Sequence, residues 1–264
     1  MCLIGIAWKA HPDFPLIVAA NRDEYHTRPT APAAWWQDAP QLLAGRDLQS
    51  GGAWMGITRA GRFAALTNYR SATEIDANAP SRGALVADFL TGAASPAQYA
   101  SVVGAEGARY NGFNLLAGTL EQLWYVGNQG ATPVALTPGV YGLSNALLDT
   151  PWPKVTSLKM ALGAVLGRVV SQYPLQSTVS GLVPDLFRAL ASTRPSPDNA
   201  LPQTGVPVER ERVLSSAMII APVYGTRAST VLCVARDGNV FWEERSITPA
   251  GEVARSVYER FTLN

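Results

Sequence analysis

The chain has 264 residues, 47% of them apolar and only 16% charged, an apolar share close to that of soluble globular proteins. Lys plus Arg number 21 against 20 Asp plus Glu, with no stripe or run of one sign, which argues against nucleic acid as the main partner and against a polybasic membrane anchor. Two cysteines, Cys2 and Cys233, exclude a disulfide scaffold, and the two histidines, His11 and His26, have no partner at zinc spacing, so no metal is expected. The apolar N-terminal run stops at Lys9 with no cationic segment before it, and no apolar stretch is long enough to span a bilayer. The expected chain is therefore one domain over 1–264 in the cytosol or another reducing compartment.

In chain order, Leu3 to Trp8 is apolar on both faces, which predicts a strand covered on both sides. His11-Pro12-Asp13-Phe14-Pro15 is turn material and Leu16 to Ala20 a second apolar run, so the chain opens on a hairpin. Asp23 to Ser50 reads as loop, because it holds Pro29, Pro32 and Pro40; its Trp35-Trp36 pair either lines an apolar site or packs on the core. A second strand pair is expected at Ala53 to Thr58 and Phe63 to Asn68, about Arg59-Ala60-Gly61. Ser81 is placed to cap a helix that carries Leu85, Val86, Phe89 and Leu90 at helical spacing, and a shorter helix is expected at Pro96 to Val103. Strands follow at Gly112 to Ala117, Leu123 to Gly127 and Val140 to Leu143. Asp149 or Thr150 then caps a longer helix with the stripe Val155, Leu158, Leu162, Val165, Leu166 and Val169. Val183 to Leu190 predicts another helix and Ser192 to Val208 a loop. Val213 to Ala221, Ser229 to Ala235 and Val240 to Glu244 predict strands, and Gly251 to Arg260 a short closing helix. Strands and helices come in segregated runs, and short turns imply antiparallel pairing. The expected fold class is α+β: two mainly antiparallel sheets face to face, flanked by helices, a four-layer αββα sandwich.

Cys2 is the most informative residue. It follows the initiator methionine, and cysteine is small enough for Met1 to be trimmed in cells. A free N-terminal cysteine carries its nucleophile and its base together, since an α-amine titrating at about 7.7–8.0 accepts the thiol proton near neutrality. If residues 10 to 14 form the hairpin turn, counting back places Cys2 opposite Arg22, with Asn21 and Asp23 beside it. A guanidinium there favours the thiolate, and a carboxylate holds the new ammonium or Arg22. The alternative is an inert buried thiol at the start of a core strand, the reading given to Cys233 among Val231, Leu232 and Val234.

The segments Met1-Cys2-Leu3-Ile4, Ala20-Asn21-Arg22-Asp23-Glu24-Tyr25 and His26-Thr27-Arg28-Pro29-Thr30 open a wider pattern. It continues in Ala44-Gly45-Arg46-Asp47, Gly51-Gly52-Ala53-Trp54-Met55-Gly56, Leu66-Thr67-Asn68-Tyr69-Arg70, Ser81-Arg82-Gly83, Gly112-Phe113-Asn114-Leu115-Leu116 and Tyr224-Gly225-Thr226-Arg227. Over nearly its whole length the chain resembles the NRDE family, also called the transport and Golgi organisation protein 2 family. The resemblance implies an Ntn-hydrolase-like αββα fold with the N-terminal cysteine as candidate nucleophile. It also links the chain to proteins connected with haem trafficking, acyl-CoA or lipid handling, and secretory organisation. Wider relatives, cysteine Ntn hydrolases such as penicillin V acylase and bile salt hydrolase, use the N-terminal Cys, an Arg and an Asp on the second strand, and a later Asn and Arg. Cys2, Arg22 and Asp23 are similar in role, with Asn114 or Asn145 for the later Asn and Arg227 for the later Arg. The spacing departs: those enzymes separate the Arg and Asp by two residues, whereas here the two are adjacent, which implies that one of them is displaced.

The implied reaction is hydrolysis of a small linear amide, with no required cofactor. Asn21, Glu24, Arg46, Asp47, Gly52, Trp54 and Asn68 are the further candidates for contacting substrate. Arg46-Asp47 reads equally as a loop-bracing ion pair, and Gly51-Gly52 as a tight turn. The competing function is a non-catalytic carrier or chaperone in which the same cleft holds haem or an acyl-CoA and Cys2 contacts it. His11 and His26 read as turn or surface residues more readily than as haem ligands, because no CxxCH motif or paired His is present.

Overall fold

A computed structural model describes residues 2–72, 75–168 and 175–264, with side chains described except at 175–178 and 180. Cys2–Trp8 (β1) and Leu16–Tyr25 (β2) form the opening hairpin, closed by the Lys9 N–H donating to the Pro15 carbonyl at 2.8 Å. In chain order there follow β3 (Thr30–Trp35), β4 (Leu42–Asp47), β5 (Met55–Thr58), β6 (Phe63–Asn68), α1 (Arg82–Thr91), α2 (Pro96–Glu106), β7 (Phe113–Gly118), β8 (Leu123–Gly127), β9 (Val134–Ala135) and β10 (Gly139–Leu143). Then come α3 (Pro153–Leu166), α4 (Leu175–Leu190), α5 (Val208–Leu214), β11 (Tyr224–Val234), β12 (Asn239–Ile247) and β13 (Val253–Thr262).

Among the described residues the strands make two antiparallel sheets, one ordered β10-β1-β2-β11-β12-β13 and the other β3 through β9 in sequence. The sheets face each other across a shared core, where Ile4, Ile6, Trp8, Val18 and Trp242 meet Leu43, Met55, Ile57, Phe63 and Leu116. The outer face of the first sheet, with Leu3, Ala7, Ile17 and Val231, packs under α3 and α4 through Leu158, Leu162, Leu186 and Phe187. The outer face of the second, with Ala64, Leu66, Leu115 and Ala117, packs under α1 and α2 through Val86, Phe89, Ala100 and Val103. The fold is thus the four-layer αββα sandwich, and β1 is apolar on both faces because one meets a sheet and the other a helix.

Several elements differ from the sequence-based expectation. The stretch read as loop over 23–50 holds the end of β2 and all of β3 and β4. Pro32 is tolerated because β3 is an edge strand and its pairing with β4 shifts register between Ala31 and Ala34. Residues 213–221 are not a strand: α5 ends at Leu214, and only Ile220 makes an isolated bridge, to Gly225. The closing segment is the edge strand β13, not a helix. Trp152, not Asp149 or Thr150, occupies the N-cap position of α3; Asp149 instead takes a positive φ and its Oδ1 accepts from the Gly142 N–H at 2.8 Å. Helix α4 begins at Leu175, eight residues before the expected start. Val169 lies outside the described residues. The two tryptophans pack on structure: Trp36 donates its indole N–H to the Ala44 carbonyl, and Trp35 meets Phe261 edge-on at 4.9 Å.

Candidate active site

The register of β1 against β2 pairs Cys2 with Arg22 and Leu3 with Asn21. Side chains directly opposite on paired strands share a face, whereas neighbours along a strand alternate. Cys2 and Arg22 therefore face the inter-sheet side and Asp23 the side of the helices. A cleft of about 1100 Å³ opens at this end of the hairpin. Cys2, Arg22, Asp23, Glu24, Arg46, Asp47, Trp54, Asn68 and Arg227 all line it.

Cys2 is 6% exposed; burial pushes its thiol pKa up, the Asp23 carboxylate adds to that rise, and Arg22 opposes it. Asp23 is buried too, and its carboxylate is held in place: Oδ1 accepts from Thr226 Oγ1 at 2.7 Å, and that hydroxyl itself accepts from the Ile219 N–H at 2.9 Å. The phenol of Tyr224 donates to the Asp23 carbonyl at 2.8 Å. Burial pushes the Asp23 carboxyl up and Lys154 opposes it. Lys154, in the first turn of α3, is 5% exposed and donates through Nζ to the Leu214 carbonyl at 2.9 Å; burial pulls it down to about 8. Deeper still, Arg70 pairs with Glu211, and its guanidinium lies 4.7 Å from the centre of the Trp152 ring.

A short segment after β10 ties this corner together. Ser144 Oγ donates to the Cys2 carbonyl at 3.0 Å. Asn145 Nδ2 donates to the Asn68 carbonyl at 2.8 Å, and the Asn145 carbonyl accepts from the Arg70 N–H at 2.7 Å. The ends of β1 and β6 are thereby fixed relative to each other.

Four of the residues singled out in the sequence do not line the cleft. Asn114 gives its amide hydrogens to Thr67 Oγ1 and the Ala146 carbonyl, and its Oδ1 accepts from the Tyr125 hydroxyl at 2.7 Å. With those bonds in place it has no N–H left for a substrate oxygen. Asn145 is fully buried in its bracing role. Asn21 donates to the Leu190 and Ala217 carbonyls, pinning α4 onto β2. Gly52 lets two backbones cross: a Cβ there would stand 2.5 Å from the Gly83 carbonyl carbon at the start of α1. Arg46 and Asp47 do line the cleft without pairing to each other. Arg46 makes a two-pronged bond to Asp38, and Asp47 binds Arg28 at 2.7 Å. Arg227 donates from Nη1 to the carbonyls of Tyr25, His26 and Arg28, holding the bend after β2.

Sequence reading missed Arg82, Tyr224 and Glu244 on the lining, and Lys154 and Thr226 behind it. Arg82, Tyr224 and Thr226 sit inside motif segments already quoted. Lys154 carried a signal of its own, since a lysine next to Val155 and four before Leu158 falls on the apolar stripe of α3. Of the side chains that ligate haem iron, Cys2, Tyr25, Tyr69 and Tyr224 line the cleft and neither histidine does. Among the described residues no group of three His, Cys, Asp or Glu is arranged to hold a metal, and no helix is long and apolar enough to cross a membrane.

The chain is similar to the Transport and Golgi organization protein 2 homolog of Bos taurus, 39% identical over 94% of this chain and 93% of that protein. The Homo sapiens homolog is 37% identical with the same coverage, and the Drosophila melanogaster Transport and Golgi organization protein 2 is 28% identical over 98% of both chains. Among solved structures, penicillin V acylase from Agrobacterium tumefaciens gives a TM-score of 0.48 at 11% identity, covering 99% of this chain and 86% of that one. The Caenorhabditis elegans ortholog of N-acylethanolamine-hydrolyzing acid amidase gives 0.48 at 11% identity, covering 88% of this chain and 92% of that one. The family model described as Transport and Golgi organisation 2 matches residues 1–249, and the chain belongs to that family.

Proposed function

We propose that the protein is an N-terminal-cysteine amidohydrolase that cleaves a small, linear, non-peptide amide. The observation that carries this reading is the meeting of Cys2, Arg22 and Asp23 at the wall of one cleft. After removal of Met1, the freed amine of Cys2 takes the thiol proton and the thiolate attacks the amide carbonyl. Arg22, opposite on β2, stabilises the thiolate, and the buried Asp23 carboxylate balances the ammonium. The ammonium proton passes to the leaving nitrogen as the C–N bond breaks, leaving a thioester. Water then attacks the thioester, the acid departs, and the proton returns to the amine–thiol pair. With the amide hydrogens of Asn114 engaged elsewhere, Asn68, which lines the cleft at the end of β6, serves as the amide donor to the developing oxyanion. Such a donor is typically worth about 2.7–4 kcal/mol in the transition state.

Two measurements test this. Intact mass of native protein should lack Met1. A panel of N-acyl amides should include one that wild type hydrolyses and Cys2→Ala does not, by a factor of at least roughly 10³. An intact Met1 on the bulk of the protein removes the base and overturns the reading. Absence of turnover together with micromolar binding of haem or an acyl-CoA would assign the same cleft to carriage.

A further inference from the structure

We propose that the cleft beside Cys2 receives an anionic group of its ligand, a carboxylate or a phosphate, through Arg22, Arg82 and Arg227. For the reaction this rests on the amidohydrolase reading and names its substrate class: an acyl amide that also carries a negative charge. The anion site itself needs only the cleft.

The argument begins with charge accounting along the wall. Three lining arginines are neutralised locally: Arg28 by Asp47, Arg46 by Asp38 and Arg70 by Glu211. Arg22, Arg82 and Arg227 are different. Their shared acidic neighbour is Glu24, whose nearest approach to Arg22 is 4.0 Å, and neither Arg82 nor Arg227 has an ion pair among the described residues. Glu24 turns its other oxygen to the Tyr25 N–H at 2.8 Å. Glu244, also near Arg22, is engaged by the Ala33 N–H at 2.6 Å and by Thr230 Oγ1. Asp23 answers to Lys154 on the helix side. Three guanidinium groups against Glu24 and the buried Glu244 leave a surplus of one positive charge.

The donors are also free to bind. Arg82 spends Nη1 on the Gly112 carbonyl and Arg227 spends Nη1 on three carbonyls, which among the described residues leaves Nε and Nη2 of both uncommitted. Those N–H groups form the fork that carboxylates and phosphates accept. The bonds already made hold each guanidinium still, so little freedom is lost on binding. Trp54 and Leu66 line the same cleft with apolar surface, which strengthens the field near Cys2.

A pair of thiol reagents reads this directly. Iodoacetate and iodoacetamide both alkylate Cys2 by displacement of iodide, with S–C bond formation, and differ in charge. Their rate ratio cancels the thiolate fraction, which is common to both. Measured at Cys2 by peptide mass, the ratio should exceed that of N-acetylcysteine in the same buffer by tenfold or more, and fall as KCl screens the site. Arg82→Gln and Arg227→Gln should each lower it about three- to tenfold, with Arg82→Lys retaining most of it. Inorganic phosphate and acetate, added at constant ionic strength, should protect Cys2 and raise the melting temperature of wild type but not of Arg82→Gln. The one acting at the lower concentration identifies the group. The thermal shift needs no alkylation, so it serves if Cys2 proves slow. A free-thiol ratio insensitive to salt, or no shift with either anion, overturns the proposal. A high ratio without amide turnover sinks the hydrolase reading and leaves the anion site; turnover with a free-thiol ratio does the reverse.

Discussion

Burying a cation in the first turn of a helix runs against two physical preferences, since desolvation disfavours the charge and so do the exposed N–H groups of the helix start. Lys154 is held there all the same, between the Leu214 carbonyl and the field of Asp23. Its folded pKa of about 8 lies below that of the unfolded chain, so the unfolded state binds more protons at pH values between the two. The sign follows: native stability tied to this group is low below pH 8 and rises as pH climbs toward 10.5, the ordinary lysine value. Lys154→Met removes that dependence. The stability of wild type relative to Lys154→Met should therefore grow by roughly 1 to 3 kcal/mol between pH 7.5 and 10, read from urea unfolding at each pH. A constant gap would show that the lysine keeps its proton in the native state across this range, as it does in the unfolded chain. Arg70 and Glu211 permit a second measurement. Both side chains are less than 5% exposed, so Arg70→Met, which strands a buried carboxylate, should cost about 3–5 kcal/mol. The double variant with Glu211→Gln should lose less than the two single changes added together, because the second change removes the stranded charge.

The sequence made part of this site legible at the same scale. Counting through the hairpin gives the Cys2–Arg22 pairing seen in the register. The adjacency of Arg22 and Asp23, which departs from the wider relatives, is accommodated by strand alternation: one faces the cleft side and the other the helices, and Asp23 still lines the wall. Alternation also separates Arg46 from Asp47: Arg46 pairs with Asp38 and Asp47 with Arg28, both earlier in the chain. The choice between Asn114 and Asn145 was not legible. Which hydrogen bonds an asparagine has already made depends on strands and loops distant in sequence.

At the scale of elements, the strongly periodic segments were the readable ones. The Leu85-Val86-Phe89-Leu90 face and the Val155-to-Leu166 stripe do what their spacing implies. Of the edge strands, β10 was read from its sequence, but β3 and β13 were not, because an edge strand has solvent on one side and its alternation is weak. β3 carries Pro32, and in β13 exposed residues outnumber half-buried ones. Docking of α3 is set by glycines that sequence reading passed over. A Cβ at Gly142 in β10 would lie 2.6 Å from Val155 Cγ1, and one at Gly5 in β1 would lie 2.9 Å from Leu158 Cγ. The helix sits directly on these two bare positions. Gly142→Ala should push α3 outward at a cost of about 1–3 kcal/mol, and it should displace Lys154, one residue before Val155. The check is a lowered urea midpoint with an unchanged slope, together with faster alkylation of Cys2. An unchanged midpoint would mean that the helix rides over the added methyl freely.

At the scale of the whole molecule, one apolar layer is common to both sheets. Cys2, Trp8 and Trp242 from the first share it with Trp54, Phe63 and Leu116 from the second, so neither sheet has a complete core of its own. The match to the family model ends at residue 249, just before β13, yet β13 is joined to the opposite sheet. Phe261 and Leu263 pack against the shared layer, and Glu259 accepts from the Trp35 indole N–H at 3.1 Å. We therefore expect the full chain to unfold as one cooperative unit, with equal calorimetric and van't Hoff enthalpies. Deletion of residues 250–264 should lower the melting temperature of that single transition. It would uncover the paired edge of β12 and the ring of Trp35, leaving a long unprotected strand edge that promotes association. Two separate transitions in the full chain would show that the sheets are held by their own helices. A truncated chain that melts like the full one would show that β13 adds nothing to the layer between them.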